Sequence, residues 1–282
     1  MEILNNYQKK LFPYAYNILG SADDALDVIQ EVMVKYFAAY RQGINDETNY
    51  LIKAVINLSI NTKKRNQKIV AGDVWLPEPI ATERADENIN RDEILSYSML
   101  VLLEYLNPKE RAVFILKETF EYSHDEIAEA LSITVENSRK LLSRAKGALK
   151  KTGNNFRLPT FDASAFLNNY ISLIKNGDTT AIEQLLTQEI AIKTDGGKHA
   201  NVVRKLTTGV GLSAKHLVTI FNTFLKTLTV VIGDVNHQPA LFFYKKNILI
   251  NCQVFEFDDD GTKIKSIYAI VDPKKLSTFN TF

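Results

Sequence analysis

Residues 107–151 decide the fold, and they read NPKERAVFILKETFEYSHDEIAEALSITVENSRKLLSRAKGALKK. The segment Asn107–Glu110 begins with an asparagine, continues with a proline and ends with a glutamate, which is the pattern of a helix N-terminus with a capping box. Ser123–Glu126 is a second capping box, and Thr134 is placed to cap a third helix. This order predicts a helix-turn-helix, a motif whose second helix can lie in the major groove of DNA.

The third helix, from Val135 to about Lys151, carries six lysine and arginine residues against one acid, Glu136. Arginine can bind guanine edges in the major groove, asparagine favours adenine and glutamate a cytosine amino group, whereas lysine mostly contacts phosphate. The candidate residues for DNA binding by this helix are Glu136, Asn137, Arg139, Lys140, Ser143, Arg144 and Lys146.

A second cluster of positive charge lies in residues 57–68, which hold four cations and no acid. Amide and hydroxyl groups beside cations suit the unstacked bases and the phosphates of a single strand. The solvated end of a helix has the same composition, so the pattern leaves both interpretations open. The candidate residues are Asn57, Asn61, Lys63, Lys64, Arg65 and Lys68.

The composition of the whole chain is that of an ordinary globular protein. Its 282 residues suffice for two or three domains, and its net charge is +1. Cys252 is the only cysteine, which excludes an internal disulfide and a cysteine-built zinc site. No membrane span or signal peptide is evident, so we expect a cytoplasmic protein. No residue pattern implies a catalytic site, a metal or a cofactor.

Residues 1–68 predict a helical bundle, with a polar outer face on its second helix. The candidates on that face are Asp24, Asp27, Gln30, Glu31 and Lys35. An acidic linker follows at residues 69–92 and contains the sequence Trp75-Leu76-Pro77-Glu78-Pro79, whose prolines exclude a helix. Because an exposed linker gains nothing from a tryptophan, we expect Trp75 to dock into a pocket.

After Lys151 the pattern changes to helices followed by strands, which predicts an α+β domain with a curved antiparallel sheet over residues 154–282. Helices are expected near residues 162–176, 179–186 and 212–224. Strands are expected at residues 190–194, 228–235, 240–244, 248–257 and 264–271.

Residues 14–31, 106–114 and 126–131 together resemble an extracytoplasmic-function (group IV, sigma-70 family) sigma factor of bacterial RNA polymerase. The resemblance implies that residues 1–68 are the region 2 domain, which would bind core polymerase through the polar face and the promoter −10 element through residues 57–68. It also implies that residues 93–153 are the region 4 domain, whose helix-turn-helix would bind the −35 element.

Three further segments resemble the subgroup of these sigma factors that carries a fused C-terminal SnoaL-like (NTF2-like) domain. They are the Trp75–Pro79 segment, Asp195-Gly196-Gly197-Lys198 and the segment containing Asp272, Pro273 and Leu276. The resemblance implies a regulatory role for these residues. Two departures are visible, since the subgroup usually has a third glycine before the lysine and Asn-Pro in place of Asp272-Pro273.

Two other functions remain open at this point. The chain could be a free-standing helix-turn-helix regulator with a ligand-binding C-terminal domain, although that leaves residues 5–68 without a role. It could also be an enzyme with a nucleic-acid-binding appendage, since His199, His216, Asp195 and Asp234 lie in the C-terminal domain. Their spacing demands no catalytic pair, so we expect no enzyme; a small-molecule ligand in that domain is possible.

Overall fold

The structure, a computed structural model, describes residues 2–38, 46–67, 75–80, 91–150, 163–197 and 206–279. The chain forms two compact units. The first comprises residues 1–71 and 84–156, and the second comprises residues 72–83 and 157–282. The segment that contains Trp75 therefore folds with the C-terminal part of the chain. Lys68 and Lys198, two of the candidate residues, lie outside the described residues.

The first unit begins with three helices, α1 (Glu2–Leu19), α2 (Ala22–Ala38) and α3 (Glu47–Gln67). Their core contains Leu11, Ala15, Ile29, Leu51 and Val55, each no more than 4% exposed. α1 contains Pro13, yet the segment is helical from Glu2 to Leu19. The helical bundle predicted for this region is confirmed.

Four more helices lie in the described part of the first unit. They are α4 (Tyr97–Leu103), α5 (Pro108–Glu118), α6 (His124–Leu131) and α7 (Val135–Lys150), and a short 3₁₀ turn at Arg91–Glu93 precedes them. Both predicted capping boxes form, with the side chains of Asn107 and Ser123 accepting from the N–H groups of Glu110 and Glu126. Ser132 adopts a left-handed conformation between α6 and α7, which makes the tight turn of the helix-turn-helix.

The second unit packs three helices against one sheet. The helices are α8 (Ser164–Asn176), α9 (Thr179–Gln184) and α10 (Val210–Ile220), and α10 continues as a π-helical turn through Phe221–Leu225. The strands are β1 (Leu186–Asp195), β2 (Thr207–Thr208), β3 (Thr229–Val235), β4 (Gln238–Lys245), β5 (Ile248–Phe257) and β6 (Ile264–Ile270). A last short helix, α11 (Pro273–Leu276), leads into a 3₁₀ turn at Ser277–Phe279.

The six strands of this sheet lie in the order β2-β1-β6-β5-β4-β3. Every pairing is antiparallel except that of β1 with β6, which is parallel. The sheet is therefore mixed, whereas the sequence predicted an antiparallel one. The difference arises because β1 and β6 are far apart in sequence, so no hairpin turn fixes their relative direction.

The two faces of the sheet have different neighbours. One face carries Ile192, Phe255 and Ile267, which belong to the hydrophobic core shared with α8–α10. On the other face, Asp195 is paired in register with Ile270, and Ile270 with Cys252. β4 is buried from Gln238 to Phe243 and is largely apolar, whereas β5 is buried from Asn251 to Glu256 and includes the buried polar side chains of Asn251, Gln253 and Glu256.

No helix among the described residues is long and apolar enough to cross a membrane. Nor do those residues contain a group of three or more histidine, cysteine or acidic side chains that could hold a metal ion.

Candidate nucleic-acid interface and linker site

The recognition helix α7 presents one polar face and one packed face. Ser138, Leu141 and Ala145 are buried against the rest of the helix-turn-helix. All seven candidate residues for DNA binding on this helix are exposed: Glu136, Asn137, Arg139, Lys140, Ser143, Arg144 and Lys146. The side chain of Thr134 accepts from the N–H of Asn137 at 3.1 Å and so fixes where α7 begins.

Two of the cations on α7 have acidic neighbours. Lys140 lies 2.6 Å from Glu136 within the helix, and Lys146 lies 2.8 Å from Glu118 of α5. These pairs are exposed, so each contributes little to stability and can exchange its acidic partner for phosphate. With Arg139 and Arg144, this face of α7 carries four exposed cations, which suits the negatively charged groove of DNA.

His124 joins the two helices of the motif. Its Nδ1 lies 2.9 Å from the hydroxyl oxygen of Ser138 on α7. Burial and the nearby cations Lys117 and Arg139 lower the pKa of His124 below its usual value. The imidazole is therefore neutral near pH 7 and serves to hold α6 against α7.

α3, which carries the candidate residues for the −10 element, packs against the helix-turn-helix in this structure. The side-chain amide of Asn57 donates to the carbonyl oxygens of Lys53 and Ala130, each at 2.8 Å. Lys53 is also paired with Glu129 of α6. Asn61, Lys64 and Arg65 remain exposed. In this conformation the amide of Asn57 is engaged by protein rather than free for a base.

Lys63 departs from the expectation of a phosphate-binding surface cation. It is 5% exposed, and its ammonium donates to the carbonyl oxygen of Leu19 and to the carboxylate of Glu104, each at 2.8 Å. The sequence pattern could not show this, because Glu104 lies 41 residues away and reaches Lys63 only when α4 and α5 pack on α3.

Lys63 belongs to a buried polar network at the centre of the first unit. Arg111 is fully buried; its Nε donates to the carbonyl oxygen of Asn17 at 2.9 Å and it is also paired with Glu104. Asn17 in turn donates to the carbonyl oxygen of Glu93 and accepts from the N–H of Leu95. Sequence reasoning missed this network; its only signal was an arginine within the apolar stripe of α5.

The charges of this network depend on one another. Burial alone would raise the pKa of Glu104, but Arg111 and Lys63 outweigh it and hold that pKa below its ordinary value. Removing the single carboxylate would leave two buried cations without a counter-charge, which costs about 3–5 kcal/mol in comparable cases. The network therefore fixes how α4 and α5 pack on α1 and α3.

The polar face predicted on α2 is present at the surface. Asp27, Gln30, Glu31 and Lys35 are exposed, and Lys35 lies 2.5 Å from Glu31. The fifth candidate, Asp24, is half-buried and accepts from the side chain of Asn66 at 3.0 Å.

Val34 stands among these polar residues with 68% of its surface exposed. A single exposed apolar side chain is common on protein surfaces and does not by itself mark a binding site.

A second site lies within the C-terminal unit, where Asp195 at the end of β1 binds the segment containing Trp75. One oxygen of the Asp195 carboxylate accepts from the N–H of Leu76 at 2.8 Å and from the ammonium of Lys275 at 2.6 Å. The other accepts from the N–H of Gly197 at 2.9 Å. Asp195 is 4% exposed, so all three contacts are shielded from water.

Leu76, rather than Trp75, is the buried anchor of this segment. Leu76 is 1% exposed, and Pro77, Glu78 and Pro79 are also buried. Trp75 is only half-buried, and the Lys275 ammonium lies 4.3 Å from its ring centroid in a cation–π contact. Lys275 also donates to the carbonyl oxygen of Leu76. We had expected Trp75 itself to occupy a pocket, but its indole covers the Lys275 ion pair.

The backbone conformation at Gly197 and its close contact with Asp272 explain why the segment 195–198 needs a glycine there. Its φ is +62°, and a Cβ at this position would collide with the carboxylate of Asp272. Asp272 itself caps α11, where it accepts from the N–H of Lys274 at 3.0 Å. The side chain of Leu276 is fully buried. Gly197 and Asp272, which lie far apart in the sequence, thus meet in the fold, and Gly196 is buried beside Gly197.

Asn236, which the sequence analysis missed, holds the other end of the same segment. The N–H of Ile80 donates to the side-chain oxygen of Asn236 at 3.0 Å, and the N–H of Asn236 donates to the carbonyl oxygen of Ile80 at 2.9 Å. Asn236 is fully buried in the left-handed turn between β3 and β4. We define the linker site as Asp195, Lys275 and Asn236 with the bound residues 75–80. An asparagine at a hairpin turn is common, so no sequence signal marked its second role.

Two family models match the first unit. The model described as Sigma-70 region 2 matches residues 3–69, which contain α1–α3, and the model described as Sigma-70, region 4 matches residues 97–149, which contain α4–α7. Together with the exposed recognition helix, these matches define the class, a promoter-specificity subunit of the sigma-70 type. The chain thus contains regions 2 and 4 of the sigma-70 family, over residues 3–69 and 97–149.

Named relatives agree with this assignment. The chain is 24% identical over 275 residues to the "Probable ECF RNA polymerase sigma factor SigI" of Mycobacterium tuberculosis, covering 94% of this chain and 91% of that protein. It is 27% identical to the ECF RNA polymerase sigma factor SigW of Bacillus subtilis, over 53% of this chain and 86% of the relative.

Among solved structures, the extracytoplasmic function sigma factor SigJ of M. tuberculosis superposes with a TM-score of 0.78 at 20% identity, covering 98% of both chains. This similarity extends over the C-terminal unit and supports the predicted order of two helical domains followed by an α+β domain.

Proposed function

We propose that the protein is an alternative sigma factor that binds core RNA polymerase and directs it to a specific set of promoters. The observation that carries this proposal is α7, whose exposed face bears every residue predicted to contact the −35 element while Ser138, Leu141 and Ala145 fix its orientation. On this proposal Arg139 and Arg144 bind bases of the −35 element, and the neighbouring lysines bind phosphate.

The polymerase-binding surface is the polar face of α2. Asp27, Gln30 and Glu31 offer acceptors to a basic partner, and the exposed Val34 adds an apolar contact at their centre. The partners implied by this proposal are core polymerase and promoter DNA, and the protein acts in the cytoplasm, where both are found.

The two helical domains are packed together in a state that restricts access to α3. The amide of Asn57 is bonded to Ala130 of the helix-turn-helix, and Lys53 is paired with Glu129. We infer that α3 binds the −10 element only after α6 has moved away from it. Asn61, Lys64 and Arg65, which are already exposed, would make the first contacts.

Regulation by the C-terminal unit is part of the same proposal. The residues that connect the region 2 and region 4 domains include 75–80, and those residues are held at both ends by Asp195, Lys275 and Asn236. A connection held in this way cannot extend freely, which restricts the distance that the two DNA-binding domains can span. Release of residues 75–80 from the linker site would remove that restriction.

The family assignment favours a sigma factor over a free-standing regulator, because region 2 has no role in the latter. The role proposed is not catalytic, since a sigma factor supplies specificity and the polymerase carries out the chemistry.

The test is run-off transcription with purified core polymerase on a promoter library, using the full chain. We expect start sites that core polymerase alone does not use, and their upstream sequences should share a −35 element. An Arg139→Ala, Arg144→Ala double variant should lose these starts and still bind core polymerase. If the full chain neither binds core polymerase nor changes the start sites, the proposal is refuted.

A further inference from the structure

A cavity of about 420 Å³ lies in the C-terminal unit, between the helix-facing side of the sheet and the end of α10. Its walls come from β1, β5 and β6 and from the π-helical turn that continues α10. Small-molecule sites usually measure roughly 300–1,000 Å³, so the space is sufficient for a ligand of moderate size. The sigma-factor role described above makes no use of it.

The cavity opens to solvent at an apolar mouth. Phe224 and Ile250 both line it, and they are 64% and 36% exposed. Large apolar side chains at the rim of a cavity mark an entry point for an apolar molecule rather than an ion.

The lining is uncharged. Nine of the thirteen lining residues are apolar, and none is lysine, arginine, aspartate or glutamate. The polar members are Thr194, His216, Asn251 and Gln253. Burial lowers the pKa of His216 below its ordinary value, so that its imidazole is neutral near pH 7. Because an ion buried without a counter-charge is strongly disfavoured, this lining selects neutral molecules.

Asn251 gives the cavity a specific chemical requirement. Its side chain is 6% exposed, and its amide oxygen Oδ1 is buried without any hydrogen-bond partner. Buried acceptors are almost always paired in folded proteins, so an unpaired one that lines a cavity indicates that a donor comes from elsewhere. A ligand hydroxyl or N–H group would supply that donor.

We propose that this cavity is a binding site for a neutral, largely apolar small molecule that donates a hydroxyl or N–H hydrogen bond to the Asn251 side chain. The site lies directly beside the linker site in the sheet. The cavity residue Thr194 directly precedes Asp195 of the linker site, and the N–H of the cavity residue Val271 donates to the carbonyl oxygen of Asp195 at 2.9 Å.

The test is a fluorescence titration of the full chain with N-phenyl-1-naphthylamine, a neutral apolar probe that carries one N–H group. We expect saturable binding with a Kd below about 100 µM. The N-methylated probe, which lacks the donor, should bind about three- to tenfold more weakly. Anionic anilinonaphthalene sulfonate should bind at least about tenfold more weakly than the neutral probe.

Variants locate the site and test Asn251. Ala269→Phe fills the cavity and Ile250→Trp narrows its mouth, so each should weaken probe binding at least about tenfold. Asn251→Leu should make the two neutral probes bind equally. Asn169→Leu, on the exposed side of α8, is the matched control and should leave both affinities unchanged.

A cooperative thermal unfolding transition shows that each variant is folded. If Ala269→Phe does not fold, Ile250→Trp still tests the site. The proposal fails if the full chain does not bind the neutral probe, or if folded cavity variants bind it as well as the original protein. It also fails if N-methylation of the probe weakens binding equally in the original protein and in Asn251→Leu. Finally, it fails if the anionic probe binds as tightly as the neutral one.

Discussion

Asp195→Asn tests the linker site with a change of charge at nearly constant volume. The carboxylate accepts from the N–H groups of Leu76 and Gly197 and from the ammonium of Lys275. An asparagine has one acceptor oxygen, and its NH₂ group would face either an N–H donor or the ammonium. The Lys275 side chain is 12% exposed, so it would lose its counter-charge in a place that water scarcely reaches.

The size of the effect follows from these contacts. Breaking a buried ion pair by removing one partner costs about 3–5 kcal/mol. We take the low end of this range, about 3 kcal/mol, because the carbonyl oxygen of Leu76 still accepts a hydrogen bond from Lys275. A loss of that size means that residues 75–80 should open roughly a hundredfold more often. The direct readout is hydrogen exchange of the Leu76 amide, whose acceptor is Asp195. Trp75, the only tryptophan of the chain, provides a second readout because its emission should shift to longer wavelength as the indole leaves Lys275.

Asp258→Asn is the matched control for this experiment. Asp258 also accepts from backbone N–H groups, those of Thr262 and Lys263, but it lies in the turn between β5 and β6 and does not touch residues 75–80. Its substitution should leave Leu76 exchange and Trp75 emission unchanged. If Asp195→Asn changes Leu76 exchange by less than about threefold while the fold is retained, the linker-site argument is refuted.

Three further predictions concern single residues. Glu104→Gln should lower the free energy of unfolding by about 3–5 kcal/mol in denaturant titrations at pH 7. Because the folded pKa of Glu104 lies below the ordinary 4.5, its stabilising contribution is present above that value and is lost as the pH falls through the folded pKa; the variant should lack this part of the acid dependence. Arg139→Ala should cost about 1–3 kcal/mol in binding to a cognate −35 duplex, and clearly less on unrelated DNA, in a fluorescence anisotropy titration. Gly197→Ala should displace Asp272 and increase protease cleavage near residue 75, since the new Cβ cannot coexist with that carboxylate.

Each of these predictions has a distinct contrary result. An unchanged unfolding free energy for Glu104→Gln would mean that the buried cations find other partners. Equal losses on cognate and unrelated DNA would make Arg139 a phosphate contact only. For Gly197→Ala, a cleavage pattern identical to that of the original chain would show that Asp272 can move without disturbing the linker site. Gly147→Ala is its control, because a Cβ there would meet nothing within 4 Å.

Signals between residues close together in the sequence predicted much of the helical first unit. Both capping boxes form with the residues that the sequence indicated, because a capping box involves only residues three positions apart. The polar face of α2 and the basic face of α7 followed from helical periodicity in the same way. The parallel pairing of β1 with β6 could not be predicted from local signals, because the strands β2, β3, β4 and β5 separate the two in the sequence.

The sequence by itself determined where the helices begin, which faces are polar and that the prolines near Trp75 exclude a helix, because each of these depends on neighbours a few residues away. Only the tertiary structure decided the state of the charged groups. It buried Lys63 between Glu104 and Leu19, gave Asp195 three donors and placed Asn236 at the end of the linker segment. A charged residue looks the same in sequence whether it will meet water or a distant counter-ion. Burial and partners are properties of packing between segments, and only the folded chain brings those segments together.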